Sequence, residues 1–308
     1  MTARSATDAI EPRHPGGCGC RLHRRRRLSL GLLGLGAASA LRAAPPAPAA
    51  PDEGVDVGKR SRFAKLVPAD RVEQAAAQQF VQMQREAAAQ HALAPDSDPQ
   101  LQRLRYIARR LIPFAPPWNP RAAKWRWEVA LIRSPQINAF CMPGGKIAFF
   151  SGILQRLQLN DDEVAMIMGH EMAHALREHA RERMGKSLAT RGAVELGSSL
   201  LGLGSTGRLV AGMGEQLLTL TFSRDDESEA DLVGMELAAR AGYNPAAGIT
   251  LWQKMAAVSR GGPPEFLSTH PKGATRIQDI EANLPKVQPL YARAPRPQQR
   301  FGPPPQRG

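Results

Sequence analysis

The sequence predicts an α+β fold, mostly helical, in which a small sheet sits between two helical blocks. Three observations predict it. Apolar residues recur at three- and four-residue spacing before residue 113, and three short strand-like runs lie between 125 and 150. From residue 161 onward the texture is helical again, cut at intervals by Gly and Pro. Hydrophobic residues make up 43% of the 308, enough to bury a sizeable core.

The first helix is an Ala/Gln-rich stretch from Pro68 to Leu93, with Val72, Phe80 and Met83 as apolar markers. Leu101, Leu104, Ile107, Ala108 and Leu111 place a second helix over 99–112, stopped by Pro113. Trp125–Leu131, Ile137–Cys141 and Lys146–Phe150 read as strands. Pro143-Gly144-Gly145 is turn chemistry that joins the last two as a hairpin. Helices follow over 161–184, 187–203, 207–222, 225–241, 245–258 and 273–283. The apolar, glycine-rich stretch from Gly192 to Phe222 is interrupted by Glu195, Arg208 and Glu215. Those charges favour core helices or a lid over a membrane span, with peripheral membrane contact through 192–222 as the competing reading. From 285 to 308 Pro, Arg and Gln dominate without periodicity, which predicts a disordered basic tail.

The formal charge of +13 sits at the two ends. Residues 1–42 hold eight Arg against Asp8 and Glu11, and residues 285–308 hold Lys286, Arg293, Arg296, Arg300 and Arg307 with no acid. Basic ends on a near-neutral body do not make a binding groove, so no nucleic-acid partner is expected. At the N-terminus Arg24-Arg25-Arg26-Arg27 precedes an apolar run from Leu28 to Leu41, and Ala38-Ser39-Ala40 supplies small residues for cleavage. Charged lead, short apolar run and small-residue exit predict a signal peptide over 1–40 and a periplasmic location; a mitochondrial transit peptide is the alternative. A Pro/Ala linker over 41–66 then precedes a domain over 67–284. Beyond the signal only Cys141 remains, so no disulfide framework is expected.

The chemistry is concentrated in His170-Glu171-Met172-Ala173-His174, within the helix that begins near Asp161. Residues four apart share a helix face, so both imidazoles can reach one metal ion, with Glu171 beside them as a general base toward water. Apolar neighbours on every side (Val164, Ile167, Met168, Met172, Leu176) bury the motif, and buried polar groups need partners. Arg177 and Ala180 stand where a longer motif would need Gly and a third His, and His179 falls off the ligand face and reads as solvated. The third ligand must therefore come from elsewhere. Ser223-Arg224-Asp225-Asp226-Glu227-Ser228-Glu229-Ala230-Asp231 opens another helix, on which Glu227 and Asp231 project together. Two His and one Glu would leave a fourth position for water, and Asp231 could orient a ligand histidine. The competing reading is that acids simply suit a helix N-terminus.

Together these motifs resemble the CaaX-prenyl-protease/HtpX-type family of gluzincin metallopeptidases. Asn138-Ala139-Phe140, Pro143-Gly144-Gly145-Lys146-Ile147 and Ser151-Gly152 resemble the family's edge hairpin, and Ser268-Thr269-His270-Pro271 with Arg276 resembles the segment that closes the domain in exported members. The resemblance implies a zincin-like domain over roughly 98–284, closest to the compact exported (BepA-like) branch without a repeat domain. It places one zinc on His170, His174 and Glu227, with Glu171 and Asp231 as catalytic residues. It implies substrate contact at Asn138, Gly144 and Gly145, and makes Arg224 a candidate transition-state stabiliser. His270 is then the candidate fourth zinc ligand, a latch that holds the enzyme latent, or else a stabiliser of charge in the reaction. The implied activity is hydrolysis of unfolded or misfolded cell-envelope proteins. The rival reading is a non-catalytic, zinc-stabilised chaperone or binding protein.

Overall fold

The computed structural model describes residues 53–195, 217, 220–259, 264–270 and 275–305. The signal expected over 1–40 and most of the 192–222 stretch lie outside the described residues.

Helix α1 (Ala69–Ala89) buries Val72, Ala76 and Phe80 along one face. Helix α2 (Pro99–Leu111) starts where the Asp98 carboxylate accepts from Gln100 N and Leu101 N, and it buries the apolar stripe Leu101, Leu104, Ile107, Ala108 and Leu111. The sheet holds β1 (Glu128–Ile132), β2 (Ala139–Met142) and β3 (Lys146–Phe150) in the order β1-β3-β2. β3 runs parallel to β1 and antiparallel to β2, with Ala139 opposite Phe149 and Met142 opposite Lys146. The hairpin turn needs φ of 83° at Gly144 and 77° at Gly145, a left-handed backbone that suits glycine. β2 is thus an edge strand.

After a short α3 (Ser151–Arg156) comes α4 (Asp161–Leu176). Asn160 and Glu163 cap it reciprocally, and Asp161, Asp162 and Glu163 place negative charge on its positive end. Every residue from Val164 to Leu176 is buried, because α2, β2 and the helices α6 (Arg224–Arg240) and α7 (Ala247–Val258) pack around α4. α6 crosses α4 at two glycines. A methyl on Gly234 would lie 2.6 Å from His170 N, and one on Gly169 would lie 2.7 Å from Gly234 O. The missing side chains let the two backbones touch. A short α8 (Glu265–Thr269) and α9 (Arg276–Arg293) complete the body. Among the described residues no helix is long and apolar enough to cross a membrane.

Four expectations need correction. The helix predicted over 161–184 divides: Arg177 closes α4, Glu178 adopts φ of 64°, and α5 (His179–Glu195) starts in a new direction. The helix predicted to stop before Pro285 continues to Arg293. Pro285 and Pro289 are exposed, while Ile280, Val287 and Leu290 anchor the opposite face in the core, so packing overrides the lost hydrogen bonds. The tail predicted to be disordered is instead ordered to residue 305 and docks on the start of α4. Arg300 donates to Asp162 at 2.8 Å, Phe301 N donates to Asp161 at 2.7 Å, and the Phe301 ring packs against Tyr106. Asp161 is already held at 2.6 Å by the fully buried Arg103. The cations that read as disorder are thus counter-charges for an acidic helix start. At the other end, residues expected to be linker also bind the body: Val55 N donates to Glu236, and Arg177 donates to the carbonyl of Gly58.

Candidate metal centre

The helical period of α4 brings His170 and His174 to one face, with their Nε2 atoms 3.1 Å apart. α6 enters against that face and presents Glu227, whose carboxylate lies 3.4 Å from His174 Nε2 and 3.7 Å from His170 Nε2. The loop after α8 adds His270, whose Nδ1 lies 3.3 Å from His170 Nε2 and 2.9 Å from Glu227. All four side chains are buried, and each can offer one donor atom to a common centre.

The spacing fits a metal. Zinc holds nitrogen and oxygen ligands at about 2.0–2.2 Å in a tetrahedron, which spaces them about 3.3–3.5 Å apart. Buried imidazole nitrogens meeting at 3.1–3.3 Å cannot all carry protons. A cation between the lone pairs satisfies them together. Burial drives His174 well below the ordinary histidine range, so its ring is neutral and its lone pair free to ligate. Burial pushes the Glu227 carboxyl up, but the facing His174, His270 and His170 rings outweigh it and hold Glu227 well below the ordinary carboxylate range. His270 is also lowered by burial, yet the facing Glu171 and Glu227 carboxylates leave it above its ordinary value.

A second layer orients the first. Asp231 lies one turn after Glu227 and accepts from His170 Nδ1 at 3.0 Å, which turns the lone pair of Nε2 into the cluster. Arg276, at the start of α9, grips Asp231 through Nε and Nη2 at 2.6 and 2.7 Å and Glu227 through Nη1 at 2.7 Å. Its guanidinium lies 3.5 Å above the Trp252 ring. Burial pushes Asp231 up, but Arg276 and His170 hold it below its ordinary value. The rings of Phe222 and Phe266 stack on His174 and His270 at 3.8 and 4.4 Å.

Glu171 faces the same space from the neighbouring position on α4. Its Oε1 is buried without a hydrogen-bond partner and stands 3.5 Å from His270 Nε2. Burial raises the Glu171 carboxyl above its ordinary value. An orphaned buried carboxylate oxygen beside four convergent donors is an acceptor awaiting a proton.

A cleft opens from this centre along β2. It is lined by Asn138 to Pro143, by Glu171, His174 and His270, and on its apolar side by Ala175, Ala180 and Phe222. Asn138 therefore lies beside the site. Gly144 and Gly145 do not line the cleft: Gly145 is packed against Trp127 and Gly144 against Glu73. Arg224 is exposed at the first position of α6 and makes none of the cluster's contacts among the described residues. The guanidinium that enters the site belongs to Arg276. His179, predicted to be solvated, is fully buried, with its Nδ1 2.9 Å from Nδ1 of His174. The prediction extends α4's period past residue 178; the left-handed turn at Glu178 folds His179 back instead.

Comparison with known proteins agrees with this geometry. The model of peptidase family M48 matches residues 100–284, a stretch that contains the whole cluster. The mitochondrial metalloendopeptidase OMA1 of Schizosaccharomyces pombe is 38% identical over 166 residues, 53% of this chain and 48% of that protein. The Arabidopsis thaliana protein of the same name is 38% identical over 51% of this chain and 32% of its own length. The beta-barrel assembly-enhancing protease of Yersinia pestis is 30% identical over 56% of this chain and 37% of its own length. The chain thus spans about half, or less, of the curated relatives it matches. Four convergent donors on α4, α6 and the loop after α8, within a helical domain carrying a three-stranded sheet, accord with a family whose metallopeptidases use zinc, and the chain belongs to peptidase family M48.

Proposed function

We propose that this protein is a zinc metalloendopeptidase in which His170, His174 and Glu227 hold the metal and Glu171 is the general base. The observation that carries the reading is the orphaned Glu171 Oε1 beside the buried donor cluster. Bound zinc supplies Lewis acidity toward the scissile carbonyl and makes water more acidic. Glu171 takes the proton from the attacking water at Oε1, and its raised basicity suits that role. Asp231 fixes the ring of His170 through Nδ1, and Arg276 balances the charge of Asp231 and Glu227. The edge of β2, unpaired by another strand among the described residues, supports binding of the substrate as an added extended strand, which positions a peptide bond alongside Glu171 and demands an unfolded segment.

The substrates are misfolded or unfolded proteins of the cell envelope, and the location is the periplasm. This assignment is supported by the export-like N-terminus and by the bacterial relative's name; the mitochondrial relatives' names support the alternative compartment. His270 already sits among the donors, which supports its role as a latch on the fourth position. The same closed set of four donors favours a purely structural zinc, but a structural site leaves Glu171 without a task.

Digestion of casein and of an unfolded outer-membrane protein, with and without chelator, tests the reading. Zinc-dependent cleavage is expected, whereas zinc-loaded protein that cleaves neither refutes it. His270→Ala should raise basal proteolysis if His270 is the latch. A large fall with zinc still bound would assign it to charge stabilisation instead.

A further inference from the structure

The histidine displaced by the turn at Glu178 has no role in the reading above. We propose that His179, backed by Glu229, is a positioning residue for the zinc ligand His174, as Asp231 is for His170.

The two ligand histidines need the same help by different routes. Each must aim Nε2 at the metal, which requires the proton on Nδ1 and an acceptor to hold it there. His170 finds that acceptor in Asp231, four residues beyond Glu227 on α6. His174 lies one turn further along α4 and has no carboxylate at its Nδ1 among the described residues; the atom in contact is Nδ1 of His179, at 2.9 Å. Two ring nitrogens this close share a single proton. If His174 ligates through Nε2, its Nδ1 is the donor and His179 Nδ1 the acceptor. The proton of His179 is then on Nε2, which points toward Oε2 of Glu229 at 3.4 Å. That approach falls short of a hydrogen bond, since His179 Nε2 has no hydrogen-bond partner among the described residues, so Glu229 backs the ring through its charge. Glu229 is in turn paired with Arg177, whose Nη2 donates to the Gly58 carbonyl at 2.9 Å.

The local chain geometry serves this arrangement. On an uninterrupted helix His179 would sit about 500° on from His174, more than a third of a turn off its face. The left-handed residue Glu178 ends that period and sets the two rings edge to face with centroids 5.0 Å apart. α6 then contributes to both ligand histidines, through Asp231 toward His170 and through Glu229 toward His179.

This inference rests on His174 being a zinc ligand, so the test reads zinc affinity by competition with a chromophoric chelator, apart from catalysis. His179→Leu keeps bulk and removes the acceptor; affinity should fall by about 10–100-fold, the usual effect of losing such a partner. His179→Asn places an amide oxygen where Nδ1 stood and should recover most of the loss, although it fills the space less well. Glu229→Ala, at a half-exposed position, should give a smaller loss and decides the matter if His179→Leu does not fold. Affinity unchanged in both His179→Leu and Glu229→Ala overturns the proposal, as does equal weakening by Leu and Asn, which would mean packing alone. Wild-type protein that takes up no zinc would overturn the metal site itself, and this inference with it.

Discussion

Substituting Gly234 by Ala separates close backbone approach from helix propensity, because the two predict opposite signs. Gly234 lies inside α6, where Ala is favoured over Gly by about 1 kcal/mol. The new methyl would stand 2.6 Å from His170 N, 2.8 Å from Gly169 C and 2.9 Å from His170 Cα. Carbon contacts are comfortable from about 3.5 Å, so α4 and α6 must part by roughly 0.5–1 Å. All three neighbours are backbone and none can rotate away. Overpacking of this kind costs about 1–3 kcal/mol, and the rigid surroundings place this case at the upper end. A net loss of about 2 kcal/mol remains after the propensity gain, which for a domain of this size is about 4–8 °C in Tm. The same separation moves Glu227 and Asp231 away from His170, so zinc should bind more weakly. Thermal unfolding followed by circular dichroism in chelator, with a zinc competition titration alongside, measures both. An unchanged or higher Tm would refute the steric argument. A lower Tm with unaltered zinc affinity would refute the claim that this crossing sets the ligand spacing.

Glu171→Gln should retain zinc by elemental analysis while hydrolysis falls by at least about 100-fold, since an amide cannot accept the proton; loss of the metal would make Glu171 structural instead. Arg276→Met leaves Asp231 and Glu227 without their cation and should cost the zinc-free protein about 3–5 kcal/mol in denaturant unfolding at neutral pH. Asp231 is held below its ordinary value by Arg276, so its contribution is full above about pH 4 and is lost as pH falls through the lowered value; Arg276→Met should lessen that acid-side loss. Removing residues 295–308 strips Arg300 and Phe301 from the start of α4 and should lower Tm by several degrees, an effect that Asp162→Asn should reproduce in part. An unchanged Tm after truncation would mean the docked tail adds no stability.

What was legible in the sequence was whatever a single element encodes. His170, Glu171 and His174 share one turn of helix, and Glu227 and Asp231 share another, so their faces follow from the period. The hairpin follows from Pro143-Gly144-Gly145, where the backbone needs glycine. The features that escaped are those set by a second element. Gly169 and Gly234 read as weak points within helices; their use appears only where the two helices cross. Arg276 lies inside a recognised segment, but nothing in its neighbours tells that it will bridge two carboxylates on α6. Residues 285–308 have the composition of a disordered tail, which assumes that their charges have no partner. That partner was already in the sequence: Asp161-Asp162-Glu163 caps a helix needing three acids less than it needs an anchor, and uncompensated cations lie in the tail. Glu178 is the sharpest case. A glutamate carries no signal for a left-handed turn; its φ of 64° goes with contacts made around it, of His179 with His174, of Arg177 with Glu229, and of Glu178 itself with Arg181 and Arg60. The helix breaks beside the donor cluster, where contacts between elements outweigh the local rule.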